Sequence, residues 1–294
     1  MEIITDIPGM RAFVARERAT GKRIALVPTM GALHEGHGAC VGAGRRIEGS
    51  ALVVSVFVNP TQFGAGEDLD RYPRPFEADV SRCREWDADA VFAPGVTAMY
   101  PSPQRTWVTV EGVTEPMCGR SRPGHFRGVA TVVAKLFNII QPGVAIFGQK
   151  DAQQALVIRA MVEQLDMPVA IRLVPIVRER DGLAMSSRNR NLDPTNRSLA
   201  PGIYRALRRG LTMVREGERD PSSVEREVEK ALAEGGIRDI DYVEIRRTRD
   251  LSALERLEGG VILAAAARLG STRLIDNIVF RVHDNGSVAE EMLF

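Results

Sequence analysis

The run ALVVSVFV at 51–58 is the feature that most constrains this chain. It is far too short to cross a bilayer, and it lacks the apolar–polar alternation of a strand with one wet face. A strand apolar at nearly every position is buried on both sides, as in a parallel sheet covered by helices on both faces. Shorter runs of the same kind stand at 24–28, 90–93, 144–147 and 169–174. Between them lie stretches with apolar residues at helical spacing, at about 36–46, 77–86, 127–140 and 151–165. Strand–helix alternation of this kind predicts an α/β fold, a Rossmann-like parallel sheet. Ligands in such sheets bind beyond the carboxyl ends of the strands. The unusual polar residues fall in those places, after 24–28, after 51–58 and after 144–147.

The pattern changes after about residue 177. A polar segment at 178–193 leads to helices around 196–216 and 222–235, then to strands near 242–246, 261–267 and 272–280. Helices followed by strands predict a smaller α+β domain. The expected division is therefore 1–177 and 178–294. With 294 residues, 44% of them hydrophobic and 26% charged, the chain has apolar material for two cores and no compositional signature of disorder. The formal net charge of +1 supplies no electrostatic reason for nucleic acid as the main partner. Cys40, Cys83 and Cys118 are odd in number, widely spaced and without a CxxC pair. That argues against a disulfide framework or a structural zinc site, and predicts a reducing, cytoplasmic setting. No secretory signal and no membrane span is expected.

The string VPTMGALHEGH at 27–37 is the most informative stretch. It lies between a predicted strand and a predicted helix. Gly31 and Gly36 permit close backbone approach, and a helix beginning near Gly36 offers unpaired amides and a positive dipole end. His34 and His37 are three residues apart and belong on one face. This arrangement suits an anion such as a triphosphate, the two imidazoles donating to oxygens whose charge grows during attack at phosphorus. A lone histidine would more readily be read as structural, but two of the chain's four histidines stand inside this HxGH. The string is neither a Walker A loop, since GxxxxGK(S/T) is absent, nor an HExxH zinc motif.

HxGH after a first strand resembles the HIGH signature of the nucleotidyltransferase superfamily, and the wider string resembles the pantothenate synthetase family in particular. FVNPTQF at 57–63, RPGHFRG at 122–128, FGQKD at 147–151 and DGLAMSSRN at 181–189 follow in the family's order, with a looser match in RLIDN at 273–277. The resemblance implies an enzyme that condenses pantoate with β-alanine through a pantoyl-adenylate, converting ATP to AMP and pyrophosphate. It assigns ATP and pantoate to the first domain, and makes the second a lid. ATP would enter as its magnesium (Mg²⁺) complex, and the family implies a homodimer.

Residue by residue, the resemblance places Met30, Gly31, Ala32, Leu33, His34, Glu35, Gly36 and His37 in the ATP site. His37, His34 and Lys150 are its catalytic group. Gly148, Gln149, Lys150 and Asp151 follow a strand, Lys150 for phosphate and Asp151 for the ribose hydroxyls; without the family, these two would read as an ion pair at a helix start. Val177 matches a backbone contact to adenine. Met185, Ser186, Ser187 and Arg188 resemble the superfamily's mobile KMSKS-like element, whose hydroxyls and guanidinium grip phosphate oxygens. Gln62 and Gln154 match the glutamines that hold pantoate, Gln62 also touching β-alanine; an amide that both donates and accepts suits a hydroxy acid.

His125 and Arg127 stand near a helix start, where a phosphate contact is open to them, but a structural hydrogen bond is expected for both and they are left outside the core site. Arg45 and Arg46 read as a solvated helix face. The sequence departs from the family's habit in three places: Gly38, Gly42 and Gly44 crowd the helix after His37, Ala152 stands where an aromatic is common, and Gln149 where glutamate is. Two rivals share the fold: another HIGH-motif nucleotidyltransferase, and a non-catalytic nucleotide-binding protein.

Overall fold

The computed structural model describes residues 1–101 and 104–294. Packing divides them into two units that are not contiguous in sequence. The first comprises Met1–Glu111, Arg122–Gly148 and Val157–Val174; the second comprises Gly112–Ser121, Gln149–Leu156 and Pro175–Phe294. The expected split at 177/178 did not anticipate the two short segments of the second unit. One of them carries Lys150, Asp151 and Gln154.

The first unit is built on six strands: β1 (Glu2–Ile4), β2 (Arg23–Thr29), β3 (Ser50–Val56), β4 (Ala90–Phe92), β5 (Val144–Gly148) and β6 (Ala170–Val174). All are parallel, in the order β1-β4-β3-β2-β5-β6. The strand read as the first, at 24–28, is thus the second. β1 precedes it with the helix Ile7–Ala19, and neither carries the long apolar run that marks the central strands. Chain order runs outward from β2 through β3 and β4, then resumes on the other side with β5 and β6. The reversal falls between β2 and β5, and in an open α/β sheet a ligand crevice forms where the order reverses. The loop after β2 starts at that edge.

The run 51–58 is doubly buried over its first part, where Ala51, Leu52, Val53 and Val54 are fully buried, whereas Val56 and Val58 are half-buried and the strand ends at Val56. On one face, Val27, Val54, Val91 and Ile146 pack with Leu33, Val41 and Cys83. The helix Glu35–Arg45 keeps two of its three extra glycines for close approach. A Cβ at Gly44 would sit 2.6 Å from Leu52 Cδ1, and one at Gly38 would sit 2.9 Å from the Trp86 ring. Gly42 has room, its nearest neighbour being Arg46 at 3.7 Å.

The second unit has an antiparallel sheet, β7 (Asp239–Arg247), β8 (Gly259–Leu269), β9 (Thr272–Val282) and β10 (Val288–Glu290), in the order β10-β9-β8-β7. The expected helix at 196–216 is two, Pro194–Leu199 and Gly202–Arg215. Pro201 has no amide to continue the ladder and its ring crowds the preceding turn. The helix Pro221–Glu234 packs so closely on Gly202–Arg215 that a Cβ at Gly210 would lie 2.6 Å from Val228. Leu207, Leu211, Val228, Leu263 and Phe280 form the centre of this core. No helix among the described residues is long and apolar enough to cross a membrane.

Candidate active site

The loop after β2 turns through two left-handed residues, Gly31 at φ 79 and Ala32 at φ 51. The second costs about 1–2 kcal/mol for a residue with a Cβ. The turn aims the amides of Ala32 and Leu33 at one buried carboxylate, Asp79 of the helix Phe76–Glu85, at 2.8 and 2.7 Å. Hydrogen bonds to a charged group contribute about 1.5–3 kcal/mol each, enough to offset the strain. The Gly31 amide donates to Thr29 Oγ1, whose hydroxyl donates to the Ser55 carbonyl.

His34 and His37 then open the helix Glu35–Arg45 with a reciprocal cap. The His34 amide donates to His37 Nδ1 at 3.2 Å, and the Gly36 amide to His34 Nδ1 at 3.1 Å. The rings lie with centroids 4.1 Å apart, tilted by 39°. A nitrogen that accepts an amide hydrogen carries no proton of its own, so in each neutral ring the proton sits on Nε2. Both imidazoles are therefore donors through Nε2. Sequence reasoning offered the amides of the helix start near Gly36 to the anion; those of Gly36 and His37 are used within the protein, as are those of Gly31, Ala32, Leu33 and His34 in the loop before it. Ala32 and Leu33 are buried, whereas Met30, His34, Gly36 and His37 are half-buried and Glu35 is exposed, paired with Arg82 at 3.2 Å.

Gln62 ends a short 3-10 turn, Pro60–Gln62, after β3. Its Oε1 accepts from Asn59 Nδ2 at 2.9 Å, and its Nε2 lies 3.1 Å from Met30 Sδ, which joins two of the expected site residues. Asn59 is fixed in turn by Tyr100 and Thr61. The backbone carbonyl of Gln62 faces His125 Nδ1 at 2.8 Å and accepts from Arg122 at 3.2 Å. His125 therefore holds its proton on Nδ1, the opposite tautomer to His34 and His37, and its Nε2 accepts from Arg122 at 3.1 Å. Arg122 also grips Glu67 through two nitrogens, at 2.8 and 2.6 Å. Burial alone would raise the Glu67 carboxyl, but the hydrogen bonds and charge of Arg122 outweigh it and hold it below the usual range. Gly128 of the helix His125–Ile140 closes this corner, since a Cβ there would lie 2.3 Å from the Thr61 carbonyl. Arg127 instead lies over the Trp107 ring at 4.8 Å.

In the second unit, a 3-10 turn, Gln149–Asp151, follows the end of β5 at the half-buried Gly148, and leads into the helix Ala152–Gln164. Asn277 of β9 donates to the carbonyls of Gln149 and Lys150 at 3.1 and 3.0 Å, and the Leu293 amide donates to Gln149 Oε1 at 2.9 Å. The Lys150 ammonium stands 4.0 Å from exposed Asp151, a weak pairing. Gln154 is half-buried on the following helix, and Ala152 is buried at its start. Gln153 is tied to Cys118, Val113 and Pro116, which is why 112–121 belongs to this unit.

The segment bearing Val177 and Met185 is a tight hairpin. The Val177 carbonyl accepts from the Met185 amide, Arg178 bridges to Ala184, and Arg178 grips buried Asp276 at 2.6 and 3.0 Å while stacking on Tyr204. Burial pushes the Asp276 carboxyl up, against the pull of Arg178. Ser186 Oγ caps the 3-10 helix Ser187–Asn191 by accepting from the Arg188 amide. Ser187 is buried and Arg188 half-buried. Sequence reasoning missed Asp79, Asn59 and Asn277. Asn59 and Asn277 lay inside strings quoted for the family without a role, and Asp79 left a weaker signal, a carboxylate one helical turn before apolar Cys83 on the inward face.

The sheet, the capped histidines and the glutamine corner define an α/β enzyme of the HIGH-motif type. The sequence profile of the pantoate-beta-alanine ligase family matches residues 2–279. The pantothenate synthetase of Moorella thermoacetica is 51% identical over 284 residues, covering 97% of this chain and 100% of that one. The crystal structure of pantothenate synthetase from Thermus thermophilus superposes with a TM-score of 0.89 at 45% identity, over 94% of this chain and 98% of that one. A pantoate-beta-alanine ligase from Francisella tularensis, solved with beta-gamma ATP and beta-alanine, matches with a TM-score of 0.78 at 31% identity, over 94% and 97% of the two chains. The chain belongs to the pantoate–β-alanine ligase family.

Proposed function

We propose that this enzyme joins pantoate to β-alanine in two steps, with ATP as the activating substrate. The observation that carries the mechanism is the inward-facing Nδ1 of both His34 and His37, which commits each Nε2–H to donation. In the first step a pantoate carboxylate oxygen attacks the α-phosphorus, an O–P bond forms, and the bond to the leaving pyrophosphate breaks. The carboxylate is already ionised at neutral pH, so no strong base is required. What the step needs is in-line positioning and neutralisation of the departing charge. His34 and His37 donate to phosphate oxygens, and the Lys150 ammonium and Arg188 guanidinium add positive charge. Gly148, Gln149 and Asp151 are assigned to nucleotide contacts with Lys150, the Val177 backbone to adenine, and Met185, Ser186 and Ser187 to the phosphates with Arg188.

Gln62 and Gln154 hold pantoate, and Gln62 also meets β-alanine. The Gln62 amide is supported for this by its fixed position under Asn59, Arg122 and His125. In the second step the neutral amine of β-alanine attacks the acyl carbon, a C–N bond forms, AMP leaves, and the amine proton passes to solvent or to the departing AMP. Magnesium, brought by ATP, would be held mainly by phosphate oxygens and water and would supply further neutralisation of the leaving charge. Among the described residues no three His, Cys, Asp or Glu side chains gather to hold a metal. A cytoplasmic homodimer completes the reading, and sedimentation of the purified protein tests the dimer.

The direct test supplies pantoate and β-alanine together and separately. AMP release over many turnovers is expected to require both, and ATP with pantoate alone to yield one burst of pyrophosphate. AMP release unchanged by omission of either acid overturns the reading.

A further inference from the structure

The loop that carries the histidines is shaped like an anion cradle, but its anion is the protein's own. Two successive left-handed residues, Gly31 and Ala32, turn neighbouring amides to one side, and such concavities bind anions. Here the amides of Ala32 and Leu33 close on the two oxygens of Asp79, one each. Asp79 is 2% exposed, and among the described residues no cation pairs with it. It reaches the loop from a helix 46 and 47 residues further along the chain. The fit admits nothing larger at position 31, where a Cβ would lie 2.8 Å from Asp79 Oδ2 and 3.0 Å from Val56 Cγ1.

The next backbone amide after Leu33 is that of His34, which donates to His37 Nδ1. The carboxylate therefore fixes the peptide planes from which the histidine cap is launched. A displaced Leu33 shifts the His34 amide, and with it the hydrogen bond that sets the His37 tautomer. We infer that Asp79 is a positioning residue for adenylate formation: by ligating the Ala32 and Leu33 amides it holds the His34–His37 pair in the Nε2–H form and in place. The inference rests on the assignment of those histidines to ATP given above. It concerns the first half-reaction only, because its effect passes through groups assigned to the phosphates.

Asp79→Ala leaves both amides without their acceptor, and Asp79→Asn sets an NH₂ against one of them. In single turnover with ATP and pantoate, Asp79→Ala is expected to slow pyrophosphate release about 100-fold, the scale of a misplacement of about an ångström. The reaction of preformed pantoyl-adenylate with β-alanine is expected to keep its rate. In ¹⁵N spectra the ring signals of His34 and His37 are expected to move from a fixed Nε2–H pattern toward averaged values, those of His125 staying put. Gly31→Ala retains Asp79 while pressing a methyl on its carboxylate, and is expected to give the same split; it decides the matter where Asp79→Ala does not fold. Folded variants that form adenylate at the wild-type rate, or that slow both half-reactions equally, overturn the proposal. His37→Ala measured alongside separates the two layers. A normal rate there removes the histidines from ATP and the inference with them, whereas a slow His37→Ala beside a normal Asp79→Ala overturns the role of Asp79 alone.

Discussion

Two turns carry the side chains proposed to meet the phosphates, and they are held in opposite ways. The His34–His37 turn is fixed largely by neighbours in sequence, Thr29 to Gly31, His34 to Gly36 and His37 to His34, and is braced from outside by Asp79. The Lys150 turn is fixed from far away, by Asn277 at a separation of 127 residues and by Leu293 at 144. The first presents rigid rings whose donor atoms are set by the cap. In the second, Asn277 holds the backbone carbonyls and Leu293 the Gln149 side chain, while the Lys150 ammonium pairs only weakly with Asp151. The contrast suits the chemistry of the two groups, since a directional N–H donor must be aimed while a point charge need only be near.

The largest expected effect lies in the first turn. His37→Ala should slow adenylate formation about 100–1,000-fold, as for loss of one transition-state donor. His37→Asn sharpens the point, because its carbonyl oxygen can still accept from the His34 amide. Single-turnover rates should fall alike in both variants, while thermal melts show the Ala variant alone losing about 1 kcal/mol of helix capping. Asn277→Ala tests the second turn. It leaves two carbonyls without their donor and should destabilise the protein by about 1–3 kcal/mol in urea titration, with a smaller loss of rate than His37→Ala. A larger loss of rate would reverse the comparison. With no loss of rate expected, the helix behind the first turn should respond to methyls in opposite senses. Gly44→Ala should destabilise by about 1–3 kcal/mol through crowding of Leu52. Gly42→Ala should stabilise by about 0.5–1 kcal/mol, since it has space and gains helix propensity. Two melting curves check the pair.

The same difference explains what could be read from the chain beforehand. β3 was legible because a doubly buried strand must be apolar throughout; β1, three residues with an exposed Glu2 and Ile3, carries no such run. The HxGH string stands out in the letters because its two histidines, the pair proposed above to meet the phosphates, sit within three residues of each other. The direction of its rings does not, because nothing in the letters says which nitrogen faces the amide. Asn277 lay in a recognised string, but its hold on Lys150 depends on β9 lying against a turn far away in sequence. The break at Pro201 was available from the proline itself, yet the apolar spacing runs on through it. Two of the three glycines after His37 meet Leu52 and Trp86 at close range, neighbours that the letters of the helix do not announce.

The crossed caps of His34 and His37 have one more consequence. A side chain that completes the backbone's own hydrogen bonding is oriented when the chain folds, not when a substrate arrives. The reorganisation that water would undergo around a growing negative charge has, for these two dipoles, already taken place. Any ligand oxygen that meets them is received by a field that needs no rearrangement, and the helix would have to fray before either ring could turn away.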